Sequence, residues 1–161
     1  MFDQVKFTDE LKAISETVDQ DEKAARGWHM NVVLKADRLL ECAELLLASD
    51  FYLSFLTVVH VKPDCEVVYQ FGHFEKPCRI MMRVSAGADK SVPSIANIFQ
   101  GAAWHEREAH EFFGVGFIGH PHLTSLILSR EERTFNPLLK DDARLKSRAD
   151  VFPPQPAGNA H

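Results

Sequence analysis

The chain has 161 residues, 45% of them hydrophobic, and a formal net charge of -5. That is enough for one domain with a real core, and the acidic balance disfavours non-specific binding to nucleic acid. Cys42, Cys65 and Cys78 are odd in number and form no CxxC pair, which argues against a zinc knuckle or an iron–sulfur cluster held by this chain alone.

The cysteines read as small buried side chains of a reducing compartment. The N-terminal run MFDQVKFTDELK lacks the basic and apolar regions of a signal peptide. No stretch approaches the roughly 20 apolar residues that span a bilayer; the longest candidate, residues 51–61, is interrupted by Ser54, Thr57 and His60. The expectation is a soluble chain whose membrane contact comes only through partners.

In chain order, Leu11, Ile14 and Val18 lie at helical spacing and predict a helix over 8–20, with Thr8 as N-cap and Asp9 and Glu10 in the first turn. Residues 21–27 form a loop ending in Gly27, and Trp28 to Leu34 reads as a short strand. Asp37 is placed to cap a helix running to Ala48, with Leu39, Leu40, Ala43, Leu46 and Leu47 on its apolar side. Three strands follow: Phe51 to Val61, Glu66 to Phe74 and Arg79 to Val84, separated by turns at Pro63-Asp64 and Glu75 to Pro77. In the last of them Cys78, Ile80, Met82 and Val84 alternate with Arg79, Met81 and Arg83, the pattern of an antiparallel sheet with one covered face.

After a loop over 85–92, Pro93-Ser94 is expected to start a helix carrying Ile95, Ile98, Phe99 and Ala102. Gly101 would bend it before a second helical piece, Trp104 to Phe113. Gly114, Gly116 and Gly119 then open a loop, Leu123 to Leu128 is a short apolar segment, and Phe152 to His161, rich in proline, reads as an extended or disordered end. The fold class is α+β: a mainly antiparallel sheet with helices packed on one face and an irregular C-terminal segment. The expected division is an α+β domain over 1–128 and an extended partner-docking segment with its tail over 129–161.

Chemistry, if present, would concentrate in WHEREAHEFFGVGFIGHPH, residues 104–122, which hold four histidines and three glutamates. A zincin needs two histidines four apart on a helix. His105 and His110 are five apart, about 140° around the helix axis, and His120 and His122 flank Pro121. Glu108 and Glu111, and Arg107 and Glu111, stand at spacings that predict a salt-bridged helix face. Nucleophile elbow, P-loop and dinucleotide fingerprint are missing, and GVGFIG follows a helix where a fingerprint follows a strand. No catalytic, cofactor-binding or metal-ligating residue is therefore assigned. The aromatic, Arg and apolar residues here fit either a partner-docking surface or closure of the domain's own core, and the bare pattern leaves both open.

The run WHEREAHEFFGVGFIGHPHL resembles the signature of the C subunit of NADH-quinone oxidoreductase, respiratory complex I, and of its counterparts in membrane-bound hydrogenases. Trp104, Glu106, Arg107, Glu108, Glu111, Phe113, Gly114, Phe117, Gly119, His120, Pro121 and Leu123 match it. Upstream, VPSI, Phe99 and GAAW also resemble the family. Downstream, Leu126, Leu128 and Asn136 to Asp141 meet its leucine pair and PLRKD-like run, so the resemblance covers residues 30–141.

The resemblance implies a non-catalytic structural subunit of the hydrophilic arm of an oxidoreductase complex, on the cytoplasmic side of the cell membrane. It would hold no cofactor itself. Its partners would be the large subunit related to nickel–iron hydrogenases and a small iron–sulfur subunit; the iron–sulfur clusters, and in a hydrogenase the [NiFe] centre, would sit in those partners. Trp104, Glu106, Arg107, Glu108, Glu111, Phe113, Gly114, Gly119, His120, Pro121 and Lys140 carry over as signature and interface positions. Two departures, Leu139 in place of the family's Arg and Asp142-Ala143-Arg144 after the run, slightly favour the hydrogenase type over a quinone-reducing NADH dehydrogenase.

Overall fold

The computed structural model describes residues 3–21, 24–129 and 135–153. The expected tail from residue 154 onward lies outside them. The class is α+β, as the sequence predicts: a five-stranded sheet in the order β1-β2-β5-β4-β3. Its strands are β1 (Thr17–Gln20), β2 (Met30–Leu34), β3 (Phe51–His60), β4 (Cys65–His73) and β5 (Arg79–Ser85). The pairs β1-β2, β3-β4 and β4-β5 are antiparallel, and β2-β5 is parallel. Helices α1 (Gln4–Ile14), α2 (Leu39–Ala48) and α3 (Ala102–Phe113) accompany it.

The first helix differs from the expectation. Asp3, not Thr8, caps it, accepting from the N–H groups of Val5 and Lys6. Thr8 lies inside, its hydroxyl donating to the Gln4 carbonyl at 2.7 Å. The helix stops at Ile14, and Val18 faces the core from β1, paired with Val32. Asp37 makes no cap hydrogen bond; it sits in a 3-10 turn, Ala36–Arg38, that leads into α2.

The register puts Val32, Met82, Tyr69 and Leu56 in one row across β2, β5, β4 and β3. Phe7 and Leu11 of α1 and Leu39, Cys42, Ala43 and Leu46 of α2 join the same core, with Tyr69, Phe71, Ile80 and Met82 fully buried. Phe71 stacks at 6.4 Å on Tyr69 and tilts against Phe99 at 5.2 Å. Each such side chain contributes about 1.5–3 kcal/mol by leaving water. Burial pushes the Cys42 thiol up to about 12 and raises Cys65 and Cys78 as well. The three are free, buried thiols.

The opposite face of the sheet is not left bare. Arg83, expected among outward residues, is only 8% exposed because the C-terminal segment lies over it. The Phe152 ring is 4.3 Å from the Arg83 guanidinium. Arg148, at the start of the four-residue helix α4 (Arg148–Val151), pairs with Asp64 at 2.9 Å and with buried Glu66. No periodicity in β5 could announce this, since the covering residues are more than 60 positions away.

A second correction concerns residues 94–101. They form turns, not a helix: Phe99 N–H reaches the Ile95 carbonyl at 2.8 Å and Ala102 N–H the Phe99 carbonyl at 2.8 Å. Before this turn, β6 (Ser91–Pro93) pairs in parallel with β7 (Gly116–Ile118), a small two-stranded sheet where the sequence suggested only loops. Among the described residues, no helix is long and apolar enough to cross a membrane.

Candidate functional site: the face built on α3

Strong helix formers, Ala102, Ala103, Glu106, Arg107 and Glu108, start α3 without a side-chain cap. Gly114 ends it in the left-handed conformation at φ 71°, its N–H returning to the His110 carbonyl. A Cβ at Gly114 would meet Asn136 Oδ1 at 2.6 Å, so a larger residue would displace the Asn136 side chain as well as strain the dihedral. Asn136 itself donates through Nδ2 to the Glu111 carbonyl at 3.0 Å, closing the open end of the helix.

Two of the signature carboxyls, Glu106 and Glu111, turn inward. Glu106 is fully buried; it accepts from the Ser94 hydroxyl at 2.5 Å and the Ile95 N–H at 2.8 Å. Desolvation raises its carboxyl to about 7 against the pull of those two donors. Glu111 accepts from three successive N–H groups, Leu126 at 3.2 Å, Ile127 at 2.8 Å and Leu128 at 3.0 Å. Arg107 donates to the carbonyls of Thr124 at 2.9 Å and Ser125 at 2.7 Å. Among the described residues Arg107 and Glu111 form no ion pair with each other; both bond to backbone and lash the irregular segment 124–128 along the helix. Spacing brings Arg107 and Glu111 to neighbouring positions, but it cannot say that each has a backbone partner in reach.

His120, whose side chain is 1% exposed, ties the next loop to the start of α3: its Nε2 lies 3.1 Å from the Ala103 carbonyl, and its Nδ1 accepts from His122 N–H at 2.9 Å. Gly119, at φ 82°, allows the turn that brings it there. His110 is bonded through Nδ1 to the Val115 carbonyl at 2.9 Å. Among the described residues, no three of His, Cys, Asp and Glu converge as metal ligands do. Phe113 packs against the core, Glu108, Pro121 and Lys140 are exposed, and the Lys140 N–H donates to His60 Nδ1 at 3.1 Å.

Large apolar side chains also remain outside. Trp104 is 64% exposed, Ile118 65% and Ile127 63%. The Arg107 guanidinium stands 5.3 Å from the Trp104 ring, a cation–π contact that fixes the indole's shelf. Near the far end of α3, Leu138, whose N–H reaches the Phe112 carbonyl, and Phe135 are exposed too. Sequence reasoning missed Ser94, Thr124, Ser125 and Asn136 as partners of the signature. Asn136, standing before the Pro137 of the family's run, and Ser94, inside the VPSI run, carried a signal through the resemblance; Thr124 and Ser125 carried none.

The family described as respiratory-chain NADH dehydrogenase, 30 Kd subunit, matches residues 32–148. The C subunit of NADH-quinone oxidoreductase from Azorhizobium caulinodans is 42% identical over 62 residues, 38% of this chain and 29% of that protein. The C/D subunit of NADH-quinone oxidoreductase from Erwinia tasmaniensis is 38% identical over 92 residues, 56% of this chain and 15% of that protein. The chain thus spans less than a third of either relative. Among solved structures, a trypsin-resistant fragment of Nqo5 superposes with a TM-score of 0.60 at 24% identity, covering 74% of this chain and 98% of the fragment. A chain of the archaeal membrane-bound sulfane sulfur reductase, a respiratory membrane complex, superposes at 0.70 and 21% identity, covering 91% and 88%. Both share the fold.

Proposed function

We propose that this chain, which belongs to the family of the 30 Kd subunit of respiratory-chain NADH dehydrogenase, is a structural subunit of a membrane-attached redox complex and docks a neighbouring subunit through the face built on α3. One observation carries the reading. Glu106, Arg107, Glu111 and His120 are bonded within the chain, while Trp104, Ile118 and Ile127 stand exposed on the surface they stiffen. Large apolar groups on a rigid, irregular surface are the makings of an interface centre, with aromatic and Arg side chains as anchors.

The partner is the large subunit related to nickel–iron hydrogenases. Relatives of the C/D kind carry both designations in one chain, which supports a close neighbour of D type. A small iron–sulfur subunit is the second partner. The clusters and metals belong to those partners, this chain holds none, and its place is peripheral, on the cytoplasmic side. The test is affinity purification of the tagged chain from its own cells. Co-purification of a D-type subunit in equal amount is expected, and Trp104→Ala should reduce its recovery at least tenfold, as loss of an interface anchor of about 2 kcal/mol or more would do. Recovery of the chain alone, or undiminished capture by the Trp104 variant, refutes this docking face.

Two types of complex share this architecture. Leu139 and Asp142-Ala143-Arg144 favour the hydrogenase type; the names of the curated relatives favour a quinone-reducing NADH dehydrogenase. Nickel in the purified complex would decide for the first, and an NADH-oxidising subunit for the second.

A further inference from the structure

Behind the docking surface lies a buried cluster of polar groups that holds it and that touches no partner itself. Glu106 is its centre. The turn after β6 offers it the Ser94 hydroxyl and the Ile95 N–H. The segment after β7 offers His120, with Nε2 3.9 Å from Glu106 Oε2. From β4 comes Tyr69, fully buried, its hydroxyl without a hydrogen-bond partner among the described residues and close enough to feel the carboxylate's charge. On its own helix, Arg107 and Glu111 are turned to the backbone of 124–128.

We propose that this cluster is a proton-operated latch under the docking surface, in which the charge on Glu106 sets how firmly the Ser94–Ile95 turn is held against α3. The reading rests on the docking role of that face. Two opposed demands make the latch. As an anion, Glu106 satisfies both donors, but it does so with no access to water, where a charge is costly. As a neutral acid it relieves that cost and upsets the bonding. Ser94 Oγ already accepts from Ala96 N–H at 3.2 Å. A proton on Oε2 would make it accept twice and leave its own hydrogen without an acceptor. A proton on Oε1 would oppose the Ile95 N–H.

The balance of the two demands falls near neutrality, where Glu106 titrates at about 7. Loosening of Ser94–Ile95 passes to Ile118, because Ser94 N–H donates to the Ile118 carbonyl at 2.8 Å. The exposed Ile118 of the docking surface is therefore one hydrogen bond from the latch.

The experiment uses the full chain by itself, so its result does not depend on whether any partner binds. Carbon-13 NMR of the Glu106 carboxyl from pH 5 to 9 reads the proton, and amide exchange of Ile95 and Ala96, corrected for intrinsic rates, reads the turn. The carboxyl is expected to titrate near 7, with protection of both amides about fivefold lower at pH 6 than at pH 8, as given by a local opening that keeps Glu106 out of water but strips its two donors and so raises its midpoint by about one unit; full unfolding, which returns the carboxyl to water, has the opposite sign. Glu106→Gln should abolish that pH dependence. Ser94→Ala, which removes a donor to the anion, should raise the carboxyl midpoint by about one unit; it serves if the first variant does not fold. A carboxyl that titrates in the ordinary glutamate range overturns the latch. So does amide protection whose pH dependence survives Glu106→Gln, or a midpoint unmoved by Ser94→Ala.

Discussion

The sheet core and the face built on α3 are two neighbouring regions held by different chemistry. In the sheet, Phe71, Tyr69, Ile80 and Met82 exclude water by interlocking apolar side chains on a regular ladder. On α3, ionisable side chains reach across to the backbone of segments that have no ladder of their own. The contrast shows how a family signature rich in charge can be a scaffold. An irregular surface must satisfy its own N–H and C=O groups, and Glu111 and Arg107 do this for 124–128 where a strand partner would otherwise be needed.

The comparison breaks first at the core. Phe71→Ala should destabilise the chain by about 4 kcal/mol, as emptied aromatic sites do, read as a fall in the urea midpoint. Next comes Glu106, where sign matters. Its carboxyl is raised from 4.5 to about 7 in the folded chain, so the fold holds the proton longer than the unfolded chain does. The stability this gives is fully present below pH 4.5 and disappears as pH rises to 7, up to about 3 kcal/mol. Denaturation at pH 5 and pH 8 should show that loss in the wild type and little of it in Glu106→Gln. Glu111→Ala should cost about 2 kcal/mol, the value of charged hydrogen bonds to backbone, with faster amide exchange confined to 126–128. Trp104→Ala should change stability by less than about 0.5 kcal/mol, as expected of an exposed side chain; a large loss there would make the indole part of the fold and not of a docking surface.

The strand alternation from Cys78 to Val84, the Gly114 stop and part of the α2 stripe were legible because period and turn chemistry act locally; Leu39, Ala43 and Leu46 are buried as the stripe predicts, whereas Leu40 and Leu47 are exposed and Cys42 takes a place in the buried face. The N-terminal helix was misplaced because Val18 continues the spacing of Leu11 and Ile14, yet it belongs to β1, where Val32 pairs with it. Ile95 and Phe99 also keep helical spacing, but a single turn suffices to bury both. Burial of Arg83 and Glu66 depends on Arg148 and Phe152, far along the chain, and no local window holds that information. Of the site, the positions came through the resemblance, while their partners came from the fold: Ser94 for Glu106, the Ala103 carbonyl for His120, the 126–128 amides for Glu111.

Those three amides carry a consequence of their own. In an extended strand successive N–H groups point to alternate sides, so a peptide whose 126, 127 and 128 amides all converge on one carboxylate cannot lie flat against another chain's edge. Leu126-Ile127-Leu128 is an apolar run whose backbone, if extended, would offer an edge for intermolecular β-pairing. By curling it around a single anion, Glu111 leaves the Ile127 side chain available to a specific neighbour while withholding the backbone template on which fibrils grow.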